Sequence, residues 1–420
     1  MRTPPSAGSD SGKGGGGPKG PAPPKAAPRR LAAGSAARRT RRVGQSCGVS
    51  VRCAIVPPVP VPYREPLFER LAERGRINAR VIYLSARQPG WDMRPEWFST
   101  GRSYLHETLA ARQRPRPGRS PLMLPSGLGA ALSRSGAECV VSWEFGPATW
   151  RALVWCRRRS LPLVVFSELT PWSDRELSAV QLRIHRVLAP QVDGFLVASS
   201  QGRERLAGLG VDPSRIEVAL QSADLETFLA LPPRDGAEPP VRVLCVGRLV
   251  PDKNLATLIA AFAAAGFAEG EAELLLAGTG PLEAELRSEA RARGAKVSFC
   301  GYVAPGELAP LYAGADVMAL VSSYEPFGVT MREGAAAGLA LLCSRRAGAA
   351  GDVAVEGENA VLVDPDDQEE IARALALLVR DKDLRRRLAE GSRALTARHP
   401  LEADAEAWER AVLSSVERRR

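Results

Sequence analysis

No apolar run in the 420 residues approaches the roughly 18–20 that a membrane-spanning helix needs. No Cys-x-x-Cys pair points to structural zinc, and the seven cysteines are scattered. Cys53, Cys139, Cys245, Cys300 and Cys343 lie in or beside apolar stretches, as buried thiols of a reducing, cytoplasmic compartment do. Residues 1–42 lack the apolar core of a secretory signal, and Arg38-Arg39 and Arg41-Arg42 lack the apolar stretch of a twin-arginine signal. Histidine is nearly absent, with only His106, His185 and His399.

What is present is a long soluble chain, 45% apolar and 25% charged, with room for two full cores. Its formal charge is +10, but residues 1–42 hold ten Lys/Arg and a single acid, Asp10. The remainder is close to neutral, so a nucleic-acid footprint spread over it is not supported. Residues 1–48 are low in complexity, dominated by Gly, Pro, Ser, Ala and Arg, and are expected to be a disordered basic arm. Such an arm is either without a role or drawn to anionic lipid.

From Val49 onward, short apolar runs alternate with helical patterns, which predicts parallel sheets covered on both faces. Strands are expected at 49–56, 80–84, 139–142, 163–167 and 195–198, and helices at 64–74, 146–159, 174–188 and 201–209. Residues 88–135 read as irregular. Leu231 to Pro240 is the clearest linker, rich in proline. The pattern restarts beyond it, with strands at 242–246, 273–277, 296–299, 316–321, 340–343 and 360–363. The expected architecture is two doubly wound Rossmann-like domains facing a cleft, 49–230 and 241–400, with a last helix at 401–420.

The most informative stretch runs from Ser322 to Gly334, between an apolar strand and a helix of small residues. Glu325 and Glu333 stand eight positions apart, with Pro326 and Gly328 between them. Gly328 allows close backbone approach, and the helix that follows offers free amides at its positive end. Carboxylates for hydroxyls and amides for oxygens suit a sugar joined to a phosphate. This stretch resembles the E-x7-E signature of family 4 glycosyltransferases, the large retaining family of the GT-B fold. Ala315-Asp316-Val317 upstream and Ala335-Ala336-Ala337-Gly338 downstream extend the likeness.

Gly247-Arg248 and Lys253-Asn254 follow the first strand of the second half and open a helix. They resemble the family's G-R-x-x-x-x-K-[GN] diphosphate motif, which offers two cations and a helix N-terminus to an anion. Gly278-Thr279-Gly280-Pro281 resembles the G-x-G-P turn beside the nucleotide, and Gly301-Tyr302-Val303 the segment whose backbone faces the base. By resemblance, Glu333 binds ribose hydroxyls and Glu325 faces the donor sugar. Amides at Phe327, Gly328 and Val329 meet sugar or phosphate oxygens, and Arg248 and Lys253 neutralise the departing diphosphate without a metal. The last helix returns to the first domain.

The first half departs from the family pattern. Its first loop, Pro57 to Pro66, has no glycine, and no histidine stands after an early strand. Arg64, Glu144 and Glu168 follow strand ends and are candidates to line the cleft, with structural salt bridges an equal alternative. His185, on an Arg-rich helix, reads as a surface histidine. Trp150 to Arg159 mixes aromatic and basic residues, as a helix touching anionic headgroups does, or as a core-facing helix with a solvated basic end.

The resemblance implies a retaining, metal-independent transferase that uses a nucleotide-diphosphate sugar and takes a glycan, lipid-linked or small-molecule acceptor. It would be cytoplasmic or peripheral at the membrane. The rival is a non-catalytic sugar-nucleotide-binding subunit. An epimerase or phosphorylase fits less well, because neither the expected histidine and carboxylate set nor a lysine suited to a pyridoxal cofactor is evident.

Overall fold

The computed structural model describes residues 50–88, 101–116, 119–232 and 239–420. The basic arm, Trp91, Trp97 and residues 233–238 of the linker lie outside them. The first half contains β1 (Val51–Val56), α1 (Glu65–Arg74), β2 (Ile77–Tyr83), β3 (Leu105–Thr108), β4 (Arg112–Arg116), β5 (Arg119–Leu124), α2 (Leu128–Ser135) and β6 (Cys139–Trp143). It continues through α3 (Pro147–Arg157), β7 (Leu163–Ser167), α4 (Ala179–Leu188), β8 (Gly194–Val197), α5 (Ser200–Gly208), β9 (Ile216–Val218) and α6 (Glu226–Leu229). Its sheet runs in the order β3-β2-β1-β6-β7-β8-β9, all parallel. Strands β6, β7 and β8 are buried along their whole length, which is why they read as unbroken apolar runs.

The second half contains β10 (Val241–Val246), α7 (Leu255–Ala264), β11 (Ala272–Ala277), α8 (Glu283–Ala292), β12 (Val297–Gly301), α9 (Ala309–Ala313) and β13 (Val317–Leu320). Then come α10 (Val329–Ala337), β14 (Ala340–Ser344), β15 (Ala360–Val363), α11 (Gln368–Arg380), α12 (Lys382–Arg398) and α13 (Leu401–Glu417). Its parallel sheet has the order β12-β11-β10-β13-β14-β15. Local chemistry sets several helix starts. Asp367 and Asp381 accept from the Glu370 and Leu384 amides at the heads of α11 and α12, and Ser178 and Gln181 form a capping box on α4.

Helix α13 packs on the first sheet. Trp408 is buried against Phe68, Trp143 and Phe166, with ring centroids 6.2, 6.0 and 5.6 Å away. A Cβ on Gly194 would come within 2.4 Å of Ser415 Oγ, so the glycine leaves room for that hydroxyl where β8 meets α13. Glu409, 1% exposed, receives Arg74 at 3.0 Å.

The expectation that residues 88–135 are irregular is corrected. An edge strand, a two-stranded hairpin and a short helix lie there. The strands carry little apolar signal, because β3 is largely exposed and β4 is written in Arg, Gln and Pro, whereas α2 buries Leu128, Ala131 and Leu132 at helical spacing.

Candidate active site

In each sheet the strand order reverses once, between β10 and β13 in the second and between β1 and β6 in the first. In open α/β sheets ligands bind outside the carboxyl ends of the strands at such a switch point. The predicted site residues sit at these two places.

At the second switch point, Lys253 follows β10 and Glu325 follows β13. The Lys253 Nζ donates to Glu325 Oε2, so the cation of one motif and the first carboxylate of the other meet directly. The loops are locked by backbone contacts. Ser323 N donates to Asp252 O (3.0 Å), Gly247 N to Ala277 O (2.9 Å) and Leu249 N to Thr279 O (2.9 Å). A Cβ on Gly278 would lie 1.9 Å from Gly247 O, and one on Gly280 would lie 2.3 Å from Leu249 O. Those two glycines therefore let the β10 and β11 loops touch. Gly278 N also donates to Gly301 O (2.7 Å), which draws the end of β12 alongside, and Val303 packs half-buried behind it.

Gly328 (φ 98°) starts α10, and a Cβ there would press on Leu320 and Glu325. Phe327 is buried and anchors the loop, while Val329 packs on the same core. The carbonyls of Glu325 and Phe327 accept from the amides of Gly348 and Ala349 (3.1 and 2.8 Å). Glu333, one turn into α10, accepts from the Tyr312 hydroxyl at 2.5 Å. Burial pushes its carboxyl up, and the Tyr312 bond opposes that shift. Arg248, exposed on the β10 loop, lies near enough to Asp252 to favour its charge against burial.

At the first switch point, Arg64 follows β1 and pairs with Glu168 after β7 at 2.6 Å. Its guanidinium lies 4.6 Å over the Trp143 ring. Glu144, after β6, is held in the left-handed region (φ 52°), which is costly for a residue with a Cβ. One of its oxygens accepts from Ser167 Oγ (2.9 Å) and the other from the Glu168 amide (2.6 Å). Burial raises its carboxyl to about 7. The three first-half candidates thus form one cluster.

The two walls face each other. The Tyr63 hydroxyl feels the charges of Glu168 and of Glu325. Tyr324, from the second half, is bonded to Ser173 of the first and raised to about 12 by burial and by Glu144, Glu168 and Glu325. Around them, Ser200 donates to the Asp352 carboxylate from its amide (2.7 Å) and its hydroxyl (2.6 Å). Gln201 reaches the carbonyls of Ala347 and Ala350, both at 3.1 Å.

His185 is not a surface residue. It is buried, stacks on Phe145 (4.5 Å) and accepts at Nδ1 from Arg205, since a guanidinium can only donate. Burial and Arg205 lower it to about 4. Its spacing from Leu188 on α4 is the signal that places it on the inner face. Sequence reading also missed Tyr312, Tyr324 and the 347–350 loop. A Cβ on Gly348 would fall 2.0 Å from Pro326 O, so the small-residue run around it marks that contact.

Residues 233–395 match the family model of glycosyl transferases, group 1. The chain is 30% identical to the glycogen synthase of Mycobacterium tuberculosis over 51% of its length and 53% of the relative's. It is 34% identical to the lipopolysaccharide core biosynthesis glycosyltransferase LpsE of Rhizobium meliloti, over 46% of this chain and 52% of that one. The chain thus spans about half the length of these curated relatives. In fold, the crystal structure of Anabaena Alr3699/HepE in complex with UDP and glucose superposes with a TM-score of 0.69 at 18% identity, covering 87% of this chain and all of that one. Residues 233–395 therefore resemble the group 1 glycosyl transferases in sequence, and the chain as a whole shares the fold of that solved structure.

Proposed function

We propose that this chain is a retaining glycosyltransferase of the family 4 kind, moving a sugar from a nucleotide-diphosphate sugar to a glycan or lipid-linked glycan. One observation carries the reading: the Lys253–Glu325 pair at the second switch point faces the Arg64–Glu168 and Glu144 cluster of the first. An arriving diphosphate draws Lys253 away from Glu325, and the freed carboxylate then takes the donor sugar's hydroxyls. Arg248, Lys253 and the α10 N-terminus take up negative charge as the bond from the anomeric carbon to phosphate breaks. The acceptor oxygen bonds on the same face and passes its proton to the leaving diphosphate. The two cations fill the place a metal would take, so the assigned chemistry is metal-independent.

Glu333 fits a ribose. Its neighbour Tyr312 holds the carboxylate in place, leaving its second oxygen to accept from hydroxyls. UDP-glucose is the first donor to test, because the HepE structure named above holds UDP and glucose. The acceptor meets Glu144, Glu168 and Tyr324. No helix among the described residues is long and apolar enough to cross a membrane. Helix α3 exposes Trp150 and Val154 beside Arg151, Arg157 and Arg158, a face we assign to peripheral contact with anionic lipid from the cytoplasmic side.

The test is UDP release from UDP-glucose across a panel of glycan and lipid-linked acceptors. Turnover is expected, with Glu325→Gln reducing it about 100-fold or more. Tight donor binding without turnover on any acceptor identifies a binding subunit instead, and absence of donor binding refutes both.

A further inference from the structure

The chain passes between the two sheets twice. It leaves the first sheet after β9, where residues 219–232 begin the passage, and returns between α12 and α13, at His399 to Leu401. Both passages converge on a single side chain of the helix that carries Glu333. Arg332, 3% exposed, donates from Nη1 to the Gln221 carbonyl (2.9 Å) on the outgoing passage. It donates from Nη2 to the His399 carbonyl (2.9 Å) on the returning one. Nη1 also reaches the Asp404 carboxylate (2.7 Å) in the first turn of α13, the helix packed on the first sheet. Asp404 is itself supported by the Leu220 backbone. A second arginine repeats the device at the other end of α10, where Arg393 donates to Leu231 O and Ala337 O, both at 3.1 Å.

Burying an ion pair is weak evidence of stabilisation, since apolar residues of like volume often serve as well. What apolar residues do not reproduce is the set of directed bonds to both passages. A planar guanidinium spreads several donors in fixed directions. We propose that Arg332 is a positioning residue that ties α10 to both interdomain passages, so that the angle between the sheets and the placement of Glu333 are set together. Its consequence for donor binding rests on the glycosyltransferase reading, but the tie itself does not.

The test measures the distance between the two halves by pulsed electron resonance in the full chain, with spin labels on Cys300 and on Ala130→Cys, both exposed, in a Cys47→Ser background. Arg332→Met alone leaves Asp404 buried and unpaired and can fail to fold. The decisive variant is therefore Arg332→Met with Asp404→Leu. The expected result is a folded protein whose interdomain distance distribution is at least twice as broad as the parent's, and which added UDP no longer narrows. A double variant with the parent's distribution overturns the proposal and leaves Arg332 a packing residue. If UDP fails to bind the parent, the donor-site reading fails, while the breadth measured without UDP still decides the role of Arg332.

Discussion

The two walls of the cleft are built by different means. The second-half wall is mostly backbone. Gly278, Gly280 and Gly348 let loops touch at distances no Cβ permits, and the carbonyls of Glu325, Phe327 and Asp252 are held by amides. The first-half wall is mostly side chain: Arg64 on Glu168, Ser167 on Glu144, Trp143 beneath Arg64. A backbone wall leaves a sharp record in the sequence, because only glycine fits certain positions. A side-chain wall leaves a faint one, because many residue pairs can make an ion pair.

If the contrast holds, a single methyl group should do most harm in the second half. Gly278→Ala places a carbon on the Gly247 carbonyl and opens the β10 loop proposed to take the diphosphate. UDP affinity should fall about 100-fold, or about 2.7 kcal/mol, in a calorimetric titration. Retained affinity would show that the loops are not backbone-locked.

The first-half wall should answer to charge. Glu168→Gln leaves the Arg64 guanidinium, whose side chain is 7% exposed, without its carboxylate. A loss of roughly 2 kcal/mol in urea unfolding is expected, less than for a fully buried pair because Glu168 is partly solvated. Arg64→Met with Glu168→Gln should recover much of it. An unchanged midpoint for Glu168→Gln alone would contradict the assignment.

The smallest effect lies within the first half and is read by pH. His185 is lowered to about 4 in the fold, so its contribution is complete above its ordinary value near 6.5 and is lost as pH falls toward 4. Glu144 runs the other way. Raised to about 7, it favours the fold below the ordinary carboxylate range, and that contribution is lost as pH rises through 7. His185→Phe keeps the stack on Phe145 and should remove the acid-side loss, on the order of 1–2 kcal/mol at pH 5. A variant with the same melting-temperature profile as the parent between pH 4 and 7 would show that His185 does not titrate there.

The same contrast explains what could be read in advance. The βα alternation, the switch-point loops, Glu325 and the paired glycines were legible, because buried parallel strands and close backbone contacts restrict residue choice. Arg64, Glu144 and Glu168 could be placed at strand ends, but not joined to one another, since their pairing depends on how β1, β6 and β7 align across the sheet. His185 was misjudged because Arg183 and Arg186 flank it on the solvent side, while its own direction follows Ile184 and Leu188 inward. The strands between 105 and 124 stayed hidden because an edge and a hairpin need no apolar face.

The β10 and β13 loops of the second half are proposed to grip a nucleoside diphosphate. A crystal structure of the protein with UDP tests it most directly. Ribose hydroxyls are expected on the Glu333 carboxylate, the diphosphate beside Gly247, Arg248 and Lys253, and Lys253 parted from Glu325. A nucleotide bound elsewhere, with Lys253 still on Glu325, would contradict it.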